Sequence, residues 1–202
     1  MPEFPAERNA LAADCRRCPA LVESRERVVW GNGPLDAEVV VVGEAPAAGD
    51  PEADRWRGGN LTGLAYTSRR SGRKVRELLA DAGFESEDCY FTNAVKCHPP
   101  GNRDPTDEEL ANCRPYLRDE IETVVPRAVL PTGKHATRSV LALDGTALEG
   151  FLDAVLEPRR SEALSVPVIP LLHPSYQEVW LARLGYDYEA YVDAISERVE
   201  AV

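Results

Sequence analysis

Four of the five cysteines fall in two pairs, Cys15 with Cys18 and Cys97 with Cys113, with two and fifteen residues between their members. Thiolates are soft ligands that suit zinc or an iron–sulfur cluster. A Cys-x-x-Cys pair alone does not separate ligation from the burial of small apolar residues. The second pair, set among turn residues in FTNAVKCHPPGNRDPTDEELANCRPYL, favours ligation. Cys89, inside the apolar stretch CYF, is expected in the core.

Polar residues at the ends of apolar runs supply further chemistry. Asn93 lies four residues before Cys97 and carries both a donor and an acceptor, which matches the edge of a pyrimidine or an amide. His173 follows an apolar run and precedes Pro-Ser, where an imidazole can donate to an oxygen that turns negative during bond cleavage. A histidine bound within a turn is the alternative. Asp50 could orient or activate water, and Tyr66 could stack on a flat ring; solvation and simple packing are the competing roles. GGNLTG lacks the lysine of a P-loop and the spacing of a dinucleotide fingerprint, so nucleotide hydrolysis is rejected.

The elements that must hold these residues read as α/β. Val39 to Val42 is a continuous β-branched run ending in a glycine-containing loop, as a buried parallel strand should be. Cys89 to Thr92, Ala128 to Leu130 and the proline-broken Val166 to Leu172 read as further strands. Helices are expected over Lys74 to Ala82, over Thr106 to Leu117 with a capping box from Thr106 and Glu109, and near Tyr176 and Tyr188. This alternation predicts a mostly parallel sheet covered on both faces. Ligands bind beyond the carboxyl ends of such strands, so Glu44, Asp50, Asn93 and His173 are expected to converge on one cleft, with TGKHAT as another of its loops.

The 202 residues suit a single domain spanning 1–202. The start, MPEFPAERNA, has no apolar stretch, and no run approaches the ~18 apolar residues of a membrane span. A cytoplasmic location is expected, where cysteines stay reduced. The net charge of −11 argues against a polyanionic partner. Residues 69–76 reverse that sign locally, with Arg69, Arg70, Arg73, Lys74 and Arg76 and no acid. This island could touch phosphates or simply form a solvated helix start.

Four stretches together resemble the iron–sulfur uracil-DNA glycosylases, families four and five of their superfamily: CRRCPALVESRERVVWGNGPLDAEVVVVGEAPA, NAVKCHPPGNRDPTDEELANCRPYL, PRAVLPTGKHAT and LLHPSYQ. The resemblance implies an α/β/α sandwich with a central, mostly parallel four-stranded sheet. It implies a [4Fe-4S] cluster on Cys15, Cys18, Cys97 and Cys113, with zinc as the alternative. It also implies an enzyme that cleaves uracil from DNA after flipping the nucleotide out of the stack; apart from the resemblance, a monomer is expected. Asn93 would read the base, and His173 would stabilise its departing negative charge. The Gly43 to Ala47 loop, with Glu44 and Ala45, would shape the pocket and bear on the attacking water. Pro174 to Gln177 would lie against the minor groove. The first motif departs from family four: Ala47 replaces a glycine, and Tyr66 stands where a stacking phenylalanine is usual. Its tail is more similar to family five, which accepts other deaminated bases, and in that alignment Asn60 rather than Asp50 takes the water-activating position. A cluster-bearing DNA-binding module without catalysis is the remaining alternative.

Overall fold

The computed structural model describes residues 9–202 apart from Ala13 and Arg69. Arg69, one of the expected basic island, therefore lies outside the described residues. The valine run forms β1 (Val39–Gly43), flanked in space by β2 (Cys89–Asn93) and β3 (Ala128–Pro131). Every residue of these three strands is buried. Two short strands, β4 (Arg159–Arg160) and β5 (Pro167–Val168), complete a five-stranded sheet of order β2-β1-β3-β5-β4. Four strands run parallel, and β4 is added antiparallel at the edge.

Alternation along the strands sends successive side chains to opposite faces. Val39, Val41, Phe91 and Leu130 pack on one face with Val75, Leu79, Tyr191 and Ile195. Val40, Val42, Tyr90 and Val129 pack on the other with Leu117, Ile121 and Val140. The helices supplying those partners are α3 (Ser71–Asp81), α4 (Asp107–Val124), α5 (Lys134–Leu141) and α8 (Tyr188–Glu200). With them stand the shorter α1 (Pro19–Ser24), α2 (Gly59–Thr62), α6 (Phe151–Ala154) and α7 (Gln177–Leu184). The result is the expected three-layer α/β/α arrangement, with β4 an addition to the four strands foreseen.

Two segments differ from the sequence reading. Of Val166 to Leu172, only Pro167–Val168 is regular strand, because Pro167 and Pro170 have no N–H to donate. The intervening amides still follow β3: Ile169 donates to the Val129 carbonyl at 2.9 Å and Leu171 to Pro131 at 2.8 Å. TGKHAT is not all loop, since α5 begins at Lys134. The Thr106–Glu109 capping box is present as expected. Among the described residues, no helix is long and apolar enough to cross a membrane.

Candidate active site

The carboxyl ends of the parallel strands meet at a cavity of about 570 Å³, within the usual range for a small-molecule site. Gly43 and Asn93 are register partners at the ends of β1 and β2. Thr132 follows β3, and its amide extends the ladder by donating to Val42 at 2.9 Å. Leu172, just before His173, donates its amide to the buried Tyr191 hydroxyl at 2.8 Å. Gly43, Glu44, Ala45, Tyr66, Asn93, Thr132 and His173 all line this cavity. Gly43 is required by close approach: a Cβ there would lie 2.4 Å from Asn93 Oδ1 and 3.0 Å from the Tyr66 hydroxyl.

Tyr66 is held in the left-handed region at φ 54°. Its hydroxyl pairs with Thr132 Oγ1 at 2.7 Å, and its ring centroid lies 5.4 Å from that of Phe91. Burial pushes the phenol well above its ordinary value, so it remains protonated. Arg76 turns inward beneath it. Its guanidinium donates to the carbonyls of Tyr66 (3.0 Å) and Ala65 (3.3 Å) and sits 3.8 Å from the Phe91 ring centroid. Burial lowers the Arg76 pKa to about 10, leaving it charged at neutral pH. Gly72 lets α3 approach this turn, since a Cβ there would meet the Tyr66 carbonyl at 2.6 Å. Arg76 is thus a support of the site, and charge pattern alone assigned it to the surface island.

A second support lies behind Asn93. Lys96 and Glu120 form an ion pair with side chains 1 % and 0 % exposed. The ammonium also donates to Thr92 Oγ1 at 2.6 Å and to the Asn93 carbonyl at 2.7 Å. Glu120 accepts further from the Gly31 amide (2.7 Å) and the Thr92 hydroxyl (2.6 Å). A buried pair persists only when hydrogen bonds satisfy it this fully. Neither residue stood out in the sequence.

His173 Nδ1 accepts the Ser175 amide at 3.2 Å. That bond occupies the Nδ1 lone pair and leaves the ring proton on Nε2. Burial, then the nearby charge of His135, lowers the His173 pKa and keeps the ring neutral. Glu44 and Asp104 are carboxylates at the cavity. Burial raises the Glu44 pKa, His135 opposes that shift and Asp104 reinforces it. His98, the third histidine, pairs through Nδ1 with the Pro46 carbonyl at 3.0 Å, tying two of the site loops together.

The remaining expected residues sit elsewhere. Asp50 is exposed, and its Oδ1 accepts the Glu52 amide at 3.0 Å. Asn60 is buried, and its Oδ1 accepts the Glu26 amide at 2.8 Å, pinning the chain that leads out of α1. Neither is among the residues lining the base-sized cavity. Tyr176, in the segment after His173, is 60 % exposed.

Residues 30–195 match the model of the uracil DNA glycosylase superfamily. The chain belongs to that superfamily. Similar proteins include the type-5 uracil-DNA glycosylase of Pyrobaculum aerophilum, 37 % identical over 199 residues, covering 85 % of this chain and 82 % of that protein. The type-4 uracil-DNA glycosylase of Archaeoglobus fulgidus is 33 % identical over 186 residues, covering 91 % and 87 %. That of Thermotoga maritima is 37 % identical over 169 residues, covering 80 % and 77 %.

In this superfamily member Cys18 packs beside Cys97 and Cys113, and the charge of Cys15 reaches Cys18 and Cys97. The N-terminal segment is drawn across the sheet edge by the Asn32–Phe91 bridge and by the Val29 amide on the Lys96 carbonyl (2.7 Å). Cys18 N-caps α1, Cys113 lies within α4, and Cys97 and Cys113 are buried beside Leu21 and Val95. Side-chain donors reach three of the sulfurs: Arg25 to Cys97 at 3.1 Å, Asn112 to Cys18 at 3.4 Å and the Tyr116 hydroxyl to Cys15 at 3.8 Å. Burial raises the Cys113 thiol to about 11, and the charges of Cys97 and Cys18 add to that rise. The cysteines therefore sense one another, and all are free of disulfides. Such a set fits a soft metal centre, whose positive charge cancels this mutual repulsion. Cys89 is 1 % exposed in the core, its thiol raised by burial to about 12.

Proposed function

We propose that this protein is a DNA repair glycosylase that hydrolyses the N-glycosidic bond of uracil in DNA and leaves an abasic site. The observation that carries the proposal is the convergence of Asn93, Tyr66 and a neutral His173 on one cavity at the strand ends. Asn93 offers an acceptor and a donor to the uracil edge, and the Tyr66 ring offers a face for stacking. His173 donates from Nε2 to the oxygen that gains charge as the base departs. Glu44 is the group we assign to the water, because it is a carboxylate in the cavity itself. The target base reaches this site only after flipping, since the bond is inaccessible in the stack.

We assign Cys15, Cys18, Cys97 and Cys113 to a [4Fe-4S] cluster, with zinc as the competing occupant. When bound, the cluster supplies a cross-link between the N-terminal segment and α4, with no redox step. A visible absorption band with iron analysis supports the cluster, and a colourless protein releasing zinc refutes it.

Uracil-containing oligonucleotide, incubated with the protein and then alkali, is expected to break at the uracil. His173→Ala or Asn93→Ala is expected to lower kcat by about 10² to 10³. Base release by neither strand form at any salt would overturn the activity. Both type-4 and type-5 relatives match at 37 % identity, so hypoxanthine and xanthine belong in the same panel, where release of those bases supports the wider range.

A further inference from the structure

Beside the base cavity runs a larger trench of about 1010 Å³. The two share a lip that includes Ser68, Arg70, Ser71 and Ser175. Arg73 and Lys74, from the first turn of α3, continue along the trench wall, and Trp56 lines it from the loop before α2. We infer that this trench is a second nucleotide subsite, which takes the nucleotide adjacent to the target on the same strand with its base stacked on Trp56. The inference rests on reading the protein as a DNA glycosylase and extends that reading to the strand beyond the flipped base.

Three observations combine. The first is charge. In a chain of net charge −11, the trench gathers Arg70, Arg73 and Lys74 against a single carboxylate, Asp50. The ion pairs of Arg73 with Glu77 (3.7 Å) and of Lys74 with Glu178 (3.2 Å) are solvent-exposed. Pairs of that kind are weak and screened, so a phosphate can replace the carboxylate.

The second is the backbone of Trp56. Its φ is 58°, an unusual conformation for a bulky residue. Such strain persists only where the surroundings enforce it, and it concentrates at functional positions. Here the loop is pinned on both sides. The Asp50 amide donates to the Arg57 carbonyl at 2.8 Å, the Gly58 amide to Thr67 at 3.0 Å, and Arg57 bridges Ser68. An indole on a held loop is a preorganised platform for a base.

The third is continuity. Three serine hydroxyls and Arg70 stand at the shared lip, where the phosphate linking two nucleotides must pass if one base occupies the cavity and its neighbour the trench. Aromatic stacking beside a basic rail is the general device for holding unpaired strands without reading their sequence.

The test uses the full-length protein and a fluorescein-labelled thymidine oligonucleotide with no uracil. Trp56→Asn removes the ring while keeping a residue that tolerates the left-handed region. It is expected to weaken single-strand binding about tenfold by anisotropy, with no change in the slope of log K against log salt. Arg73→Gln is expected to lower that slope by about one. Trp56→Phe is expected to keep most of the affinity, and wild-type fluorescence minus that of Trp56→Phe should show quenching on adding DNA. Unchanged affinity in Trp56→Asn, or no quenching difference, overturns the subsite. Binding needs no catalysis, so the two readings fail separately. Strand binding that depends on Trp56 without base release sinks the glycosylase and spares the subsite; base release indifferent to Trp56 does the reverse.

Discussion

Two titrations at the cavity set an expected pH profile for base release. His173 is held below its ordinary 6.5 by burial and by His135, so it loses its proton at a pH under that value. Glu44 is raised above 4.5, chiefly by burial, so it ionises above that value. Activity that requires both groups deprotonated is lost as pH falls, with an acid limb set by the higher of the two pKa values and therefore above 4.5. A kcat/KM profile measures this directly, and activity that persists to pH values below 4.5 would remove the role assigned to Glu44. Lys96 makes a second expectation at this scale. Lys96→Met leaves Glu120 buried without its cation, which typically costs about 3–5 kcal/mol, measured by urea unfolding. Adding Glu120→Gln should recover part of that loss, because an unpaired buried charge costs more than a neutral polar group. Asn93 and His173 were legible as chemistry because they end apolar runs. Lys96, Glu120 and Arg76 were not, since a charged residue in sequence reads as solvated until packing shows what surrounds it.

The start of α4 places Arg103 at the cavity while its own cap fixes the loop. Glu109 accepts the Thr106 amide at 2.8 Å and pairs through both oxygens with Arg103, at 2.8 and 2.6 Å. The Arg103 hydrogen bonds, more than the helix cap, hold the Glu109 carboxyl below 4.5. A depressed acid contributes stability above its unfolded pKa and loses it as pH falls through the folded one. Melting temperatures of wild type and Glu109→Gln should therefore separate at neutral pH, because glutamine can keep the capping hydrogen bond but loses the charge that Arg103 pairs with. They should converge in acid, where both side chains are neutral; parallel curves down to low pH would show the pair contributes nothing. This helix was legible because Thr-x-x-Glu before an apolar pattern has a local cause. The last strand was only partly so: apolar content marked Val166 to Leu172, while its prolines limited the ladder to alternate amides. The start of α5 was hidden because Gly-Lys-His resembles a loop, and its helix is stabilised by packing Val140 against the sheet.

At the scale of the molecule, the proposed cysteine centre would tie the segment that carries Cys15 and Cys18 to Cys97 and Cys113. Cys18→Ser is expected to lower the melting temperature and expose the N-terminal segment to protease, while the sheet keeps its far-ultraviolet signature; an unchanged melt would show the cysteines are not a brace. The sequence by itself determined the α/β class and the parallel strands, because continuous β-branched runs act over a few neighbouring residues. Only the tertiary structure decided which charges turn inward and which carboxylates reach the cavity. It set Glu44 there and left Asp50 on the trench, buried Arg76 under Tyr66 while leaving Arg70 and Arg73 exposed, and lined the same trench with Trp56. Those outcomes depend on close approaches such as Gly72 against Tyr66 and Gly43 against Asn93. Distances between residues far apart in the chain are fixed by packing and have no local signature.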